Sequence, residues 1–350
     1  MAKTDKTDLS PEERAARCLL RRHDLRVPIK VEELALHYAD LEEANIPVAT
    51  DGVVIHHPRH RGRPLIVLNR QRRINEVRRR FTLAHELGHL KIGWHPGTIA
   101  CDIENGRFEL RAEHSRFETE ANRFASELLM PTNWIIEEIE RHGDIKSLYL
   151  AVMKGARVSH SAARIKLLQC LSSGYVCVEE DNRKSEFRLD ASDYGLLNKI
   201  ATYMERQNPN ILYPKLEKFA VDGFVIRNKW TTIRWWKLDL TVKIDEIKDI
   251  RHSTEVLKQM LKDCGLEGED SLKCSINGKI GATNSRELGD AESLYGALLA
   301  RFDRSDIGSD ANLHLLRSHP DFELFLQKKS LEIIEKRGKV TQDSFPQSRR

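Results

Sequence analysis

Residues 81–90 read Phe-Thr-Leu-Ala-His-Glu-Leu-Gly-His-Leu, and this stretch decides how the first half of the chain is interpreted. His85 and His89 are four residues apart, so a helix places both imidazoles on one face, about one turn from each other. In an H-E-x-x-H helix the histidines bind zinc and the glutamate, here Glu86, activates a water. A five-residue motif also arises by chance, and a zinc site needs a third protein ligand.

A second helix further along the chain supplies a candidate for that ligand. Its apolar residues recur at the spacing of one buried helix face: Phe117, Ala121, Phe124 and Leu128. Glu118 and Asn122 lie one turn apart and about 100° away from that face. Glu118 is therefore predicted to complete a His-His-Glu site. Asn122 is predicted to orient His85 or His89 by a hydrogen bond.

Other side chains near the motif remain alternatives. Glu120 points about 200° away from Glu118 and is the second choice as ligand. Glu113 and Glu127 are further carboxylates of the same region. His95 is read as a loop histidine, with metal binding or transition-state stabilisation as its alternative roles. Gly88 is expected to leave room beside the metal.

Composition limits the class of protein. The 350 residues are 31% charged and 40% hydrophobic, which is typical of a folded globular chain of two or three domains. A net charge of +4 is too small to indicate nucleic-acid binding by itself. No apolar run approaches the ~20 residues of a membrane span, so no membrane partner is expected. The first residues lack a signal peptide's apolar segment and the six cysteines are scattered, which favours a cytoplasmic location.

Three sequence blocks together resemble the ImmA/IrrE family of zinc metallopeptidases. They are residues 80–89, 118–125 and 128–131, in this order and at this spacing. The resemblance covers roughly residues 28–172. It implies a compact gluzincin-like zinc domain with a small helical domain after it.

The same resemblance implies chemistry and a partner. His85, His89 and Glu118 would bind one Zn²⁺ per chain, with Mn²⁺ as the alternative ion, and Glu86 would be the catalytic base. Members of the family typically act on helix-turn-helix repressors and relieve repression of stress-response or mobile-element genes. A repressor of this kind is therefore the expected protein substrate.

Two strands are predicted before the histidine helix, at residues 51–55 and 64–69. In H-E-x-x-H peptidases a strand near that helix can bind an extended substrate by edge pairing. The second strand is assigned this role as a hypothesis, through Leu65, Ile66, Val67, Leu68 and Asn69.

Residues 133–172 have the pattern of three short helices, the last two joined by a glycine-containing turn, which resembles a helix-turn-helix. A structural subdomain or a docking site for the substrate is the favoured interpretation. The alternative is DNA contact through four side chains: Arg157, His160, Arg164 and Lys166. Direct nucleic-acid binding is therefore left open.

The fold class is predicted to be α+β, with five segments. They are an N-terminal helical segment (1–27), the zinc peptidase domain (28–132), the helix-turn-helix-like domain (133–172), a separate α+β regulatory or sensor domain (173–340) and a disordered tail (341–350).

Within the α+β domain, Asn277-Gly278 indicates a type I′ hairpin between strands at residues 273–276 and 279–282. The tryptophans of this domain are expected to lie in a packed core, with a ligand pocket as the alternative.

The pattern as a whole predicts a zinc-dependent endopeptidase. One rival is a non-proteolytic regulator that binds DNA or a repressor and keeps a structural metal. A second rival is a toxin–antitoxin-type module. Glu86 separates these functions, because a purely structural metal site has no need of a general base.

Overall fold

The structure is a computed structural model that describes residues 9–46, 50–56, 62–70, 75–95, 98–99, 108–184, 186–244, 246–284, 288–303 and 311–343. The chain divides into two compact units between Ser172 and Ser173. Helix and sheet are mixed, as the α+β prediction requires. Within the described ranges, no helix combines the length and the apolar character that crossing a membrane would need.

The elements of the first unit are α1 (Pro11–Arg22), α2 (Val31–Tyr38), β1 (Asp40–Ala44), β2 (Gly52–Ile55), β3 (Leu65–Asn69), α3 (Glu76–Lys91), β4 (Thr98–Ile99), α4 (Phe108–Leu129), α5 (Thr132–Arg141), α6 (Ile145–Ala156) and α7 (His160–Cys170). The helix predicted to contain the H-E-x-x-H motif is α3, and the one predicted to contain Glu118 is α4. Helix α4 begins at Phe108.

The sheet of the first unit has the strand order β1-β3-β2-β4. β3 pairs in parallel with β1 and antiparallel with β2, so both of its edges are occupied. The prediction that Leu65–Asn69 binds an extended substrate by edge pairing is therefore wrong. The physical reason lies in the run of apolar residues itself, because a strand that reads as continuously apolar is buried on both faces in the centre of a sheet. Ile66, Leu68 and Asn69 are indeed buried.

Two glycines set the distances between these layers. A Cβ at Gly52 of β2 would lie 2.8 Å from Thr82 Cγ2 and 3.1 Å from Glu86 Oε1, so the absence of a side chain lets the strand lie against α3. A Cβ at Gly88 would lie 3.1 Å from the ring of Phe124 on α4. Gly88 therefore leaves room for the neighbouring helix, and the expectation that it leaves room beside a metal is corrected.

A buried ion pair joins the helices that follow. Lys166 Nζ of α7 donates to Glu127 Oε2 of α4 at 2.6 Å and to the Thr132 hydroxyl of α5 at 3.0 Å. Arg17 of α1 donates to the other oxygen of Glu127 at 2.8 Å. Four helices of the first unit thus share one carboxylate.

This packing corrects part of the DNA-binding alternative. Arg164 and Lys166 are only 1% and 2% exposed, so neither side chain can contact a nucleic acid. DNA contact would need both side chains at the surface, but they lie on the side of α7 that packs into the unit. Arg157 is exposed, and His160 Nδ1 lies 2.9 Å from the Tyr149 hydroxyl.

The elements of the second unit are β5 (Tyr175–Asp181), β6 (Glu186–Ala191), α8 (Tyr194–Ile200), a 3₁₀ turn (Glu205–Gln207), α9 (Pro209–Lys218), β7 (Ala220–Arg227), β8 (Thr231–Leu238), α10 (Ser253–Asp263), α11 (Asp270–Thr283), α12 (Ala291–Phe302), α13 (Ala311–Arg317) and α14 (Phe322–Asp343). Its sheet is antiparallel, in the order β6-β5-β8-β7.

Two clusters of buried residues form the core of this unit. One lies between the sheet and helices α8, α9 and α12, and includes Val178, Leu212 and Trp236. The other lies among α10–α14, with Met260, Leu298 and Phe325 buried in it. Trp235 is also buried, while Trp230 is exposed near the turn between β7 and β8. The packed-core interpretation therefore holds for Trp235 and Trp236.

The predicted hairpin around Asn277-Gly278 is wrong, because both residues lie inside α11. Leu272, Ile276 and Ile280 are buried at a spacing of four, which aligns them on one helical face. Burial of that face outweighs the local preference of Asn-Gly for a turn. At the end of the chain, α14 extends to Asp343, so residues 341–343 of the predicted tail are helical. Residues 344–350 lie outside the described residues.

Candidate metal centre

Helix α3 is fixed at both its start and its middle. The Asn75 side chain accepts the Arg78 backbone N–H at 2.8 Å and caps the helix. Leu83 and Leu87 are buried and anchor one face of the helix in the core. His85 and His89 lie on the face turned toward α4.

The three predicted ligands meet at one point. His85 Nε2 lies 2.9 Å from His89 Nε2, and the two oxygens of Glu118 lie 3.2 Å from His85 Nε2 and 3.3 Å from His89 Nε2. Donors about 2.1 Å from a tetrahedral zinc ion are roughly 3.4 Å apart, so these separations are close to those of a metal site. These three residues form a group of His and Glu side chains able to hold one ion.

Asn122 is placed beside the first histidine. Its Oδ1 lies 3.0 Å from His85 Nδ1 and accepts a hydrogen bond when that nitrogen is protonated. His85 then keeps its Nε2 lone pair for the interior of the site. The geometry agrees with the orienting role proposed for Asn122.

His89 is supported by a chain of side chains outside the ligand group. Its Nδ1 lies 3.0 Å from His95 Nδ1, and His95 Nε2 lies 3.0 Å from Glu120 Oε2. Trp94 Nε1 donates to the same oxygen at 2.6 Å, and Arg116 Nε donates to Oε1 at 2.7 Å. Burial lowers the pKa of His95, which favours its neutral form.

These contacts separate the two glutamates that the sequence left as alternatives. Glu118 faces the histidine pair, whereas Glu120 accepts hydrogen bonds from His95, Trp94 and Arg116. Burial alone would raise the pKa of Glu120, but these three donors lower it to about 2. Glu127 belongs to the buried ion pair with Lys166, and the side chain of Glu113 lies outside the described residues.

Glu86 is buried beside the ligands. Burial raises its pKa to about 7, while the neighbouring His85 and a hydrogen bond from the Val54 backbone oppose the rise. A carboxyl group with a pKa near neutrality is suited to accept and release a proton. Glu118 behaves in the opposite way: burial would raise its pKa, but hydrogen bonds with His85 and His89 hold it well below the usual range.

The ligands open into a cavity of about 360 Å³ between β2, α3 and α4. Asp51 and Arg78 form an ion pair at its wall. Phe81 lies one helical turn before His85, with its ring centroid 6.4 Å from that of the histidine. The cavity therefore offers polar and apolar walls next to the candidate ligands.

Sequence reasoning missed two contacts of this site. It gave no partner for His95, because that residue lies beyond the end of α3, where helical spacing no longer predicts neighbours. It also did not pair Arg78 with Asp51, which come from different elements. Glu120 did give a signal: two residues from Glu118 on a helix, it has to point to a different surface.

With this geometry in place, the comparisons with known proteins identify the domain. Residues 41–168 match the peptidase family M78 model, which is described as the IrrE N-terminal-like domain. This part of the chain is similar to the IrrE N-terminal-like domain. The predicted resemblance to the ImmA/IrrE family is thereby confirmed for these residues. The matched region spans β1 to α7. It contains His85, His89, Glu86 and Glu118, together with the cavity at the candidate ligands.

Other comparisons add little. No curated protein matches the chain. Among solved structures, a Mycobacterium tuberculosis transcriptional regulator is similar over 68% of this chain and 94% of its own, at 12% sequence identity and a TM-score of 0.36. A likeness at this level does not establish a shared fold.

Proposed function

We propose that the IrrE N-terminal-like domain is a zinc-dependent endopeptidase of the gluzincin type. The observation that supports this best is the meeting of His85 Nε2, His89 Nε2 and the Glu118 carboxylate beside buried Glu86. Two neutral imidazoles and one carboxylate are a ligand set that catalytic zinc uses. The second unit is proposed to regulate the peptidase or to select its substrate.

Zinc held by these residues would polarise the scissile carbonyl and make a water more acidic. Glu86 accepts the proton of the attacking water and returns it to the leaving amine. Asn122 and His95 keep the two histidines in the tautomers that direct Nε2 inward. Burial of Glu86 keeps its carboxylate away from competing bulk water.

The proposed substrate is a helix-turn-helix transcriptional repressor, whose cleavage would derepress stress-response or mobile-element genes. This follows from the ImmA/IrrE resemblance, since members of that family act on such repressors. The family match supports a protein substrate in general.

The test compares wild-type protein with the Glu86→Gln and Glu118→Gln variants. Each is incubated with helix-turn-helix repressors encoded beside its gene, and zinc content is measured on the same samples. Glu86→Gln should keep its zinc and lose cleavage by about 10²-fold or more, because the proton acceptor is gone. Glu118→Gln should lose both zinc and cleavage.

Cleavage that persists in zinc-loaded Glu86→Gln would refute the mechanism. Zinc binding without cleavage in the wild type would favour the rivals with a structural metal, a non-proteolytic regulator or a toxin–antitoxin-type module.

A further inference from the structure

A second, larger cavity lies next to the candidate metal centre within the first unit. It has a volume of about 800 Å³ and is bounded by α3, α4 and the start of α7. Arg78, Phe81 and Asn122 line both this cavity and the one at the ligands. The two cavities therefore adjoin at these three side chains.

The direction of this groove follows from the pairing of α3 with α4. Glu118 contacts both His85 and His89, whereas Asn122, one turn later on α4, contacts only His85, which is one turn before His89 on α3. The two helices are thus antiparallel, and the seam that holds the ligands continues in one direction. Phe81 and Ser126 are the next positions along that seam, and both line the groove.

The groove has apolar walls where it leaves the metal centre. Val77 and Phe81 of α3 and Met153 of α6 line it and are only partly buried. Ile165 of α7 lines it as well and is 46% exposed, which is high for a large aliphatic side chain next to a cavity. Apolar surface of this kind gains free energy when an apolar side chain of a ligand covers it.

Polar groups line the groove from α4 and from the start of α7. Thr119, Asn122 and Ser126 of α4 line the groove, as does Ser159, the N-cap of α7. Thr119 Oγ1 donates to Ser115 O and can still accept, Ser159 Oγ accepts from Ala162 N–H and can still donate, and the Asn122 amide has N–H groups to donate beside the Oδ1 that faces His85. A polypeptide backbone presents N–H and C=O groups at regular intervals and matches such a wall.

We propose that this groove, running from Phe81 to Ile165, binds about four residues of the substrate polypeptide, in extended conformation and with apolar side chains, on one side of the scissile bond. The length comes from the two helical turns between Glu118 and Ser126, about 12 Å, at about 3.3 Å per extended residue. This assignment rests on the proposed peptidase function. It also replaces β3 as the substrate-binding element, because both edges of β3 are occupied.

The test uses metal-binding probes of increasing length on the zinc-loaded full-length protein. Acetohydroxamate is the shortest probe. Trileucine hydroxamates and their triglycine counterparts are the long probes. Each is made with the peptide on either side of the metal-binding group, so that both chain directions are sampled. Dissociation constants are measured by isothermal titration calorimetry.

Two variants with matched chemistry locate the binding. Ile165→Arg places a charge in the groove. Leu150→Arg places the same charge on α6, at a side chain that is 43% exposed and does not line the cavity. Ser126→Arg places a charge in the groove from α4 and repeats the test should Ile165→Arg lower the melting temperature.

In one chain direction, we expect trileucine hydroxamate to bind at least about tenfold more tightly than the triglycine probe, as burial of leucine side chains predicts. Ile165→Arg should abolish this preference, while Leu150→Arg should keep it. Acetohydroxamate affinity should be the same in all variants.

Equal binding of the leucine and glycine probes in both directions would overturn the groove assignment. The assignment would also be overturned if Ile165→Arg and Leu150→Arg reduced the preference for the trileucine probe by the same factor. If zinc itself, or acetohydroxamate on the zinc-loaded protein, fails to bind, the peptidase proposal falls and the groove assignment falls with it.

Discussion

His89 and His95 face each other through their Nδ1 atoms at 3.0 Å, and the second ring is held in turn by Glu120. For His89 to present a lone pair at Nε2, its Nδ1 has to carry the proton, so His95 Nδ1 is the acceptor. His95 then donates from Nε2 to the carboxylate. One carboxylate thus determines the tautomers of two histidines in series.

Replacing His95 should weaken metal binding without removing a ligand. His95→Phe keeps a ring of similar size but removes the acceptor for His89 Nδ1–H. We expect zinc affinity to fall by about 10–100-fold, measured by competition with a chromogenic chelator. The visible spectrum of the Co²⁺-loaded protein should change as well, since the ring of His89 is no longer oriented.

The control for this prediction is Trp94→Phe, which removes one hydrogen bond to Glu120 and leaves His95 in place. It should change zinc affinity much less. An unaltered affinity and cobalt spectrum in His95→Phe would show that His95 has only a packing role.

Glu118 and Glu120 should respond differently to the same exchange. Glu118→Gln replaces a charged ligand by a neutral amide and should reduce bound zinc to well below one ion per chain. Glu120→Gln keeps an oxygen that can accept from His95, so zinc stoichiometry should remain near one. Metal analysis of the dialysed proteins decides, and loss of zinc from the Glu120 variant alone would reverse the ligand assignment.

The buried ion pair predicts a large stability effect remote from the metal. Glu127→Ala leaves Lys166 buried without its carboxylate, and we expect the free energy of unfolding to fall by about 3–5 kcal/mol. Glu140→Ala, an exposed glutamate on α5, should change it by less than about 0.5 kcal/mol. Urea unfolding followed by circular dichroism measures both, and equal values for the two variants would contradict the assignment.

The same carboxylate predicts a dependence of stability on pH. Burial would raise the pKa of Glu127, but Lys166, Thr132 and Arg17 lower it below its usual 4.5. A group with a lowered pKa in the folded state stabilises the fold above its unfolded value, and this stabilisation is lost as the pH falls through the folded value. The stability difference between wild type and Glu127→Gln should therefore shrink as the pH is lowered from about 6 to about 3. A difference that stays constant over this range would show that Glu127 is not charged in the fold.

Gly278 tests the corrected conformation of α11. No side chain or backbone atom lies within 4 Å of a Cβ built there, so alanine fits without a clash. In a helix interior Gly278→Ala should stabilise the protein by about 0.5–1 kcal/mol. In a type I′ turn the same change would destabilise it, because that turn needs a positive φ. The sign of the shift in melting temperature separates the two conformations.

Sequence reasoning succeeded in this chain where the deciding interactions are local in sequence. His85, His89, Glu118 and Asn122 were placed correctly relative to one another because helical spacing determines which residues share a face. The N-terminal helical segment is likewise set by local interactions, since Ser10 and Glu13 form a capping box at the start of α1. These are interactions within one helix or between two helices with clear periodicity.

Failures arose where tertiary packing decides. Asn277-Gly278 has a local preference for a turn that burial of Leu272 and Ile276 outweighs. Lys166 was named as an alternative DNA contact, but it neutralises a buried carboxylate contributed from 39 residues earlier in the chain. The position of β3 in its sheet depends on β1, whose sequence Asp-Leu-Glu-Glu-Ala shows little strand character.

Gly52 has a consequence for the depth of the whole centre. A Cβ at position 52 would lie 2.8 Å from the Thr82 methyl group and 3.1 Å from Glu86 Oε1, so any larger residue would force these side chains, or α3 itself, to shift. His85, Glu86 and His89 are all on α3, so a shift of this helix would displace the proposed base and two of the three candidate ligands together relative to β2. The absence of a side chain at position 52 thus allows the close approach of β2 to α3, and it sets the distance between the strand and the side chains of His85, Glu86 and His89.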